Sequence, residues 1–263
     1  MARLFIFGLG YTAGRFAQEM RGRGWHVDAT GSAGNIDFSN HAAVAAALAD
    51  ATHVLSSVPP DRESDLDPVL TAYREDMGKA WYGYLSSTGV YGDAQGAWVD
   101  EQSPTGDGRR TARSDADGKW LDLGARVFRL PGIYGPGRSA FERVETGKAH
   151  RIDLPGQVFS RVHVDDIVSG LVAAIESEAP EGAYNLADDL PTSQNAVIEE
   201  ACRLMGVTPP ALQTLEEAGL SPMARGFYAE NRRVANGKAK RVLGWTPRYP
   251  TYREGLAAIK ARA

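Results

Sequence analysis

Leu4-Phe5-Ile6-Phe7, followed at once by Gly8-Leu9-Gly10-Tyr11-Thr12-Ala13-Gly14, is the stretch on which the fold turns. A continuous apolar run ending in glycines reads as a strand buried on both faces. From about Ala13 to Arg23 the sequence reads as a helix, and Gly24 stops it. A strand, a glycine turn and a helix in this order bring a pyrophosphate up against backbone N–H groups. The first two glycines tighten the turn and let the phosphates approach, and the helix offers the positive end of its dipole. Ala13 takes the third place of the G-x-G-x-x-G/A fingerprint, and Gly14 lies just beyond it. Gly8, Gly10, Tyr11, Thr12, Ala13 and Gly14 are therefore candidate dinucleotide-binding residues.

Outward from that stretch, strand and helix alternate. Strands are expected at Trp25 to Thr30, Ile36 to Phe38, Val54 to Val58, Trp81 to Ser86 and Ala125 to Leu130. Helices are expected at His41 to Leu48, Asp67 to Lys79 and Arg113 to Leu123. The alternation predicts an α/β fold, a Rossmann-type doubly wound parallel sheet covered on both faces. Beyond Pro131 the pattern loosens. A helix follows Val162-His163-Val164-Asp165-Asp166 to about Glu176, and Ala183 to Leu186 is a further strand. Ser193 to Met205, Lys238 to Leu243 and Tyr252 to Ala261 are helical. Residues 1–263 read as one NAD(P)-binding domain, with 133–161 and 184–263 forming a small C-terminal substrate-binding lobe over the carboxyl ends of the strands.

With 263 residues, 43% of them hydrophobic, the chain can bury one sizeable core. A formal net charge of -4 gives no pull toward nucleic acid or anionic membranes. The one cysteine, Cys202, allows no internal disulfide and points to a reducing, cytoplasmic setting. The opening apolar run stops at Gly8, too short for a secretion signal, and no stretch reaches the length of a membrane span. His163 before two aspartates has no second histidine at ligand spacing, so no metal site is expected.

The residue ending the second strand selects the cofactor: an acid bonds the ribose of NAD, and a nearby arginine accepts the 2′-phosphate of NADP. Thr30-Gly31-Ser32 supplies neither, and Asp28 falls too early. The reading is NAD or NADP with a slight lean to NADP, with Ser32 and Arg15 near the phosphate. Asp37 either faces the adenine or caps a turn.

Leu85-Ser86-Ser87-Thr88-Gly89-Val90-Tyr91-Gly92, Arg129-Leu130-Pro131-Gly132-Ile133-Tyr134-Gly135-Pro136-Gly137, Arg161-Val162-His163-Val164-Asp165-Asp166 and Tyr184-Asn185-Leu186 follow in order. This set resembles the extended short-chain dehydrogenases/reductases of the NAD-dependent epimerase/dehydratase group, over nearly the whole chain. It is most similar to a compact atypical branch in which Arg-x-x-x-acid-x-x-Trp follows the Ser-Ser segment, here Arg113 to Trp120. The resemblance implies that Ser87 is catalytic and hydrogen-bonds the reacting oxygen. It implies that Ser57 and Val58 line the cofactor and that Pro131 and Ile133 lie beside the nicotinamide. It implies a structural turn at His163 and Asp166, a nucleotide-sugar-like or other small anionic substrate, and a homodimer through surface helices.

The family's Tyr-x-x-x-Lys is absent from this sequence. Its places fall near Thr111 and Asp115, among Arg109, Arg110 and Arg113. Arginine stays protonated, so it is a poor proton shuttle, but it can bind an anion or stabilise developing negative charge. Tyr91, Tyr134 and Glu101 are the candidates for moving a proton, although the two tyrosines read sooner as packing under the loop. Arg138 and Arg161, with Tyr134, are candidate substrate contacts because a guanidinium fork bonds two oxygens of an anion at once. Two readings result: an NAD(P)-dependent oxidoreductase or epimerase working by hydride transfer, or a catalytically silent NAD(P)-binding sensor.

Overall fold

The computed structural model describes residues 2–106, 108 and 111–262, apart from the side chain of Met223. The first half runs β1 (Arg3–Phe7), α1 (Tyr11–Gly22), β2 (His26–Ala29), α2 (His41–Asp50), β3 (His53–Ser56), α3 (Pro68–Tyr73), β4 (Trp81–Ser87), a short β5 (Trp98–Val99), α4 (Thr111–Asp122) and β6 (Arg126–Leu130). The second half runs β7 (Gly132–Tyr134), α5 (Ala140–Glu145), β8 (Arg151–Ile152), β9 (Arg161–His163), α6 (Val164–Glu176), β10 (Gly182–Asn185) and α7 (Gln194–Met205). It ends with β11 (Leu212–Gln213), α8 (Pro222–Tyr228), β12 (Arg233–Val234), α9 (Gly237–Leu243) and α10 (Tyr252–Lys260).

Six strands form one parallel sheet in the order β10-β6-β4-β3-β1-β2. Strand order reverses between β1 and β3, which puts the glycine turn after β1 at the point where ligands enter open parallel sheets. Each face is covered. Leu4 and Ile6 of β1 face Phe16 and Met20 of α1 and Ile167 and Leu171 of α6 in one apolar layer. Phe5 and Phe7 turn the other way, toward Val44 of α2, Val69 of α3 and Trp120 of α4. Every second residue of β1 thus serves a different layer, which is why the run is apolar throughout.

Ile36-Asp37-Phe38 is not a strand. Ile36 N bonds back to Ala29 O and Asn40 N to Asp37 O, so the backbone closes local turns instead of a ladder. Ile36 and Phe38 still pack on the second layer, and their apolar character belongs to that packing. The helix expected over Asp67 to Lys79 is shorter too: α3 ends at Tyr73 and tightens into a 3-10 turn at Arg74–Asp76.

The lobe has its own small core, where Phe141 of α5, Val197, Ile198 and Cys202 of α7 and Leu256 and Ile259 of α10 meet. Its boundary differs from the expected 184–263. β10 is the edge of the main sheet, and α9 and Trp245 pack into the main layer with α6, so those segments belong to the sheet. Among the described residues no helix is long and apolar enough to cross a membrane.

Candidate functional site: a cleft at the carboxyl ends of the strands

The glycine turn is braced from below and open above. Gly8 takes φ +83°, and a Cβ there would come 2.8 Å from Val58 Cγ2, so the turn presses on the segment after β3. Ser57 Oγ donates to Gly8 O. Thr30 holds the turn from the other side: its hydroxyl accepts from Gly8 N at 3.2 Å and its carbonyl from Leu9 N at 2.8 Å. A Cβ on Gly31 would sit 2.9 Å from Leu9 N, so glycine at 31 serves this close approach. Above Gly10 nothing lies within 4 Å of a would-be Cβ. Gly10 is also the N-cap of α1 and supplies no side-chain cap, which leaves the first-turn amides of the helix to a ligand. Gly10, Tyr11, Thr12 and Ala13 line a cleft of about 1020 Å³. The position of Gly14, one turn on, also has open space around a would-be Cβ. Tyr11 ties this end of the cleft to the lobe, its hydroxyl donating to Pro136 O at 3.0 Å.

Around the ribose-selecting position the side chains are turned elsewhere. Ser32 is exposed and does not line the cleft. Arg15, expected near a 2′-phosphate, donates instead to Asp165 Oδ1 at 3.3 Å and stacks over Tyr11, because the start of α6 lies beside it. Asp28 accepts from Asn35 and His26; against the upward push of burial, these bonds hold its carboxyl below the usual range. Asp37 is a turn cap: its carboxylate accepts from Ser39 N and Oγ, which lowers its pKa.

At the end of β4, Ser86 and Ser87 point to different tasks. Ser86 is buried and donates to Asp117 Oδ2 at 2.6 Å. Ser87 is half-buried in the cleft wall, and its Oγ accepts from Gly89 N at 3.1 Å, leaving its own hydrogen for another acceptor. Helix α4 explains the Arg-x-x-x-acid-x-x-Trp motif, whose three residues occupy one face on successive turns. Arg113 reaches the cleft. Asp117 forms a buried pair with Arg129, at 2.7 and 3.1 Å. Trp120 Nε1 donates to Asp67 Oδ2 at 2.8 Å and its ring stacks on Tyr84. Burial opposes the charge on Arg129, yet Asp117 outweighs it and raises the guanidinium pKa. Thr111 and Asp115, near the family Tyr and Lys places by sequence, are exposed and line no part of the cleft. Arg109 and Arg110 lie outside the described residues.

The candidates for proton movement are corrected by this geometry. Tyr91 is only 5% exposed. Its hydroxyl donates to Asn185 Oδ1 at 2.8 Å and accepts from Arg129 Nη1 at 3.1 Å, burial raises its pKa, and it does not line the cleft. Glu101 accepts from Asn185 N at 2.7 Å behind β10, and burial raises its carboxyl pKa. Tyr134 lines the cleft, but its hydroxyl turns toward Thr251 O and Gly255, and burial pushes its pKa far up.

On the lobe side, Pro131 and Ile133 line the cleft beside Ser87. Arg138 is exposed there, its guanidinium 5.8 Å from the Tyr11 ring centre. Arg161, also expected to meet an anion, is buried and already bonded: it donates to Phe159 O, Thr192 O, Ser193 O and Gln194 Oε1. Burial brings its pKa down to about 10. His163 and Asp166 form the turn into α6: His163 Nδ1 accepts from Asp165 N, and the Asp166 carboxylate from Arg248 N and Tyr249 N. Sequence reading missed Arg143, His150 and Tyr228, which also line the cleft. The signals were present. Ser139-x-x-Glu142 is a capping box announcing α5, and Ser221-Pro222 is an N-cap with proline at the first helical position announcing α8.

No family model matches this sequence. A 3-diazoavenalumate denitrifying reductase from a Streptomyces species is 36% identical over 146 residues, which span 51% of this chain and 47% of that protein. A conserved protein of unknown function from Silicibacter pomeroyi is 38% identical, with a TM-score of 0.88 covering 100% of this chain and 99% of that one. The NAD complex of dTDP-glucose 4,6-dehydratase from Bacillus anthracis superposes with a TM-score of 0.79 at 15% identity, over 99% and 96% of the two chains. Human epimerase family protein SDR39U1, solved with NADPH, gives 0.79 at 17%, over 99% and 100%. The fold is that of the NAD-dependent epimerase/dehydratase group of extended short-chain dehydrogenases/reductases. Within that fold the chain belongs to one family with the Silicibacter pomeroyi protein.

Proposed function

We propose that this chain is an NAD(P)-dependent oxidoreductase that acts by hydride transfer on a small substrate bearing a carbonyl or hydroxyl group. The observation that carries the reading is a single cleft that holds both the open glycine turn and the half-buried Ser87 hydroxyl, with Arg113 in its wall. The turn fits a dinucleotide, since a side chain at Gly10 would occupy the space the pyrophosphate needs. Gly8 to Ala13 would hold the pyrophosphate on the uncapped end of α1. Ser57 and Val58 would flank it, and Pro131 and Ile133 would lie beside the nicotinamide. The cofactor supplies or accepts hydride. The similarity of half the chain to a named reductase supports this class of reaction.

The residues divide the remaining work. Ser87 hydrogen-bonds the reacting oxygen through its hydroxyl hydrogen, because its Oγ already accepts from Gly89 N, and the proton that balances the hydride is exchanged with water in the open cleft. Arg113, fixed in charge, stabilises negative charge as it develops on that oxygen without moving a proton. The cofactor is NAD or NADP, and the lean is to NADP, because Asp28, the acid of β2, is held by Asn35 and His26. A silent sensor is the competing reading, favoured by the burial of the Tyr91 and Tyr134 hydroxyls.

Calorimetric titration with NAD, NADH, NADP and NADPH separately tests the cleft. One pair is expected to bind, and failure of all four with the protein folded defeats the reading. Turnover of the bound reduced cofactor with a carbonyl panel then separates enzyme from sensor. Ser87→Ala is expected to lower kcat about a hundredfold or more with cofactor affinity unchanged. Equal kcat in the variant removes Ser87 from the chemistry.

A further inference from the structure

The lobe side of the cleft has a composition that the proposed reaction does not use. Phe159, Val197, Ile198, Ala224, Tyr228 and Leu256, contributed by four separate segments, form an apolar stretch of its wall beside the polar Gln194 and Ser221. Tyr228 stands edge-on to Phe159, ring centres 5.4 Å apart, and the two perpendicular rings form an aromatic corner. The hydroxyls of a sugar would each need a partner in this wall. Its aliphatic members supply none, and a buried hydroxyl without a partner is costly.

Cations stand at the rim of the same wall. Arg138, just before α5, and Arg143, within it, are both exposed and both line the cleft with His150. Neither arginine has a described carboxylate within ion-pair distance. Two acids, Glu142 and Glu230, line the same cleft and already hold hydrogen bonds. Glu142 Oε2 accepts from Ser139 N at 2.7 Å and Ser139 Oγ at 2.6 Å in the capping box. Glu230 pairs with Arg232 at 2.8 Å. Arg161 is buried on four acceptors, so the charges that face this part of the cleft are those of Arg138, just before α5, and of Arg143 and Glu142 on it, two cations to one carboxylate. An apolar stretch of wall and two guanidinium groups against one carboxylate together describe a ligand with an apolar, ring-bearing body and an anionic end.

Resting on the reading of this cleft as a substrate site, we propose that the lobe selects a small aromatic oxyanion, an acid or phosphate ester. Its ring packs into the corner between Phe159 and Tyr228 and its charged group lies on Arg143 with Arg138.

The test titrates the full chain with trans-cinnamate, phenyl phosphate, methyl cinnamate and UDP-glucose, each with and without saturating cofactor. One of the two anions is expected to bind about tenfold or more tighter than the neutral ester. A preference for cinnamate identifies a carboxylate, and a preference for phenyl phosphate a phosphate. Arg143→Ala is expected to erase the preference for the anion over the ester, and Arg143→Lys to restore part of it. Tyr228→Ala should weaken acid and ester alike. Tighter binding of UDP-glucose, equal binding of acid and ester, or no binding of any of the four overturns the proposal. Cofactor titrations run in parallel: anion binding that persists while no nicotinamide nucleotide binds defeats the oxidoreductase reading and leaves the oxyanion site standing.

Discussion

Gly10 shows how one residue can serve ligand and helix in opposite ways. It is the N-cap of α1 with φ -90° and ψ -163°, an extended conformation open to residues other than glycine. Aspartate is a better N-cap than glycine by a few tenths of a kcal/mol, because its carboxylate accepts from the orphan amides of the first turn. Gly10→Asp is therefore expected to leave stability unchanged or slightly raised. The same carboxylate would stand in the space left for the pyrophosphate, repelling it by charge and by size. Cofactor affinity is expected to fall by at least about a hundredfold. Thermal melts and nucleotide titration of the same sample read the two effects separately, and undiminished affinity would move the site off the turn. The turn's place was legible because glycines between a buried strand and a helix have few other uses. Its brace was not: Thr30 is an ordinary polar residue whose role exists only because β2 ends beside β1.

Helix α4 carries the clearest case at the scale of an element. Its Arg113, Asp117 and Trp120 fall on one face, so one helix contributes to the cleft, to a buried ion pair and to the core. Arg129 is 3% exposed and Asp117 1%, and the pair also receives the Ser86 hydroxyl. Removing one partner of a buried pair leaves the other charge uncompensated, at a cost of about 3–5 kcal/mol. Losing one neutral donor to that carboxylate costs about 1–3 kcal/mol. Asp117→Ala is thus expected to lower the urea midpoint well beyond Ser86→Ala. Equal midpoints would show that the pair contributes little to holding α4 against β6.

The same scale shows what sequence could and could not give. Buried strands β1, β3, β4 and β6 were legible because a parallel sheet covered on both faces demands unbroken apolar runs. Ile36 to Phe38 imitates such a run, but its residues pack from a turn, and only the hydrogen bonds distinguish the two. The two-residue strands of the lobe, β8 and β11 among them, have no periodicity to read. Arg161 looked like an anion site beside Arg138, and its burial under four acceptors depends on α7 arriving from far along the chain.

Across the whole molecule, four titratable groups, His53 half-buried and His163, Asp166 and Asp188 buried, set opposing pH dependences. Burial brings His53 and His163 down to about 4. It raises Asp166 to about 6, and Asp188 to about 7 against the pull of Arg161. The histidines bind protons more readily when unfolded, so their contribution to stability is present above about 6.5 and is lost as pH falls toward 4. The aspartates hold protons more tightly when folded. Their contribution is complete below about 3.9 and is lost as pH rises through 6 and 7. Between about pH 4 and 6 two groups pull each way, and the net dependence from this set is nearly flat. Asp188→Asn removes one opposing proton while imitating the neutral acid that the fold already holds in this range. Stability of the variant is then expected to rise with pH between 4.5 and 6.5, steeper than wild type by about 1.4 kcal/mol per pH unit at most. Urea unfolding at pH 4.5, 5.5 and 6.5 measures both slopes. Parallel slopes would mean that Asp188 is ionised in the folded protein throughout, its charge held by Arg161 despite burial.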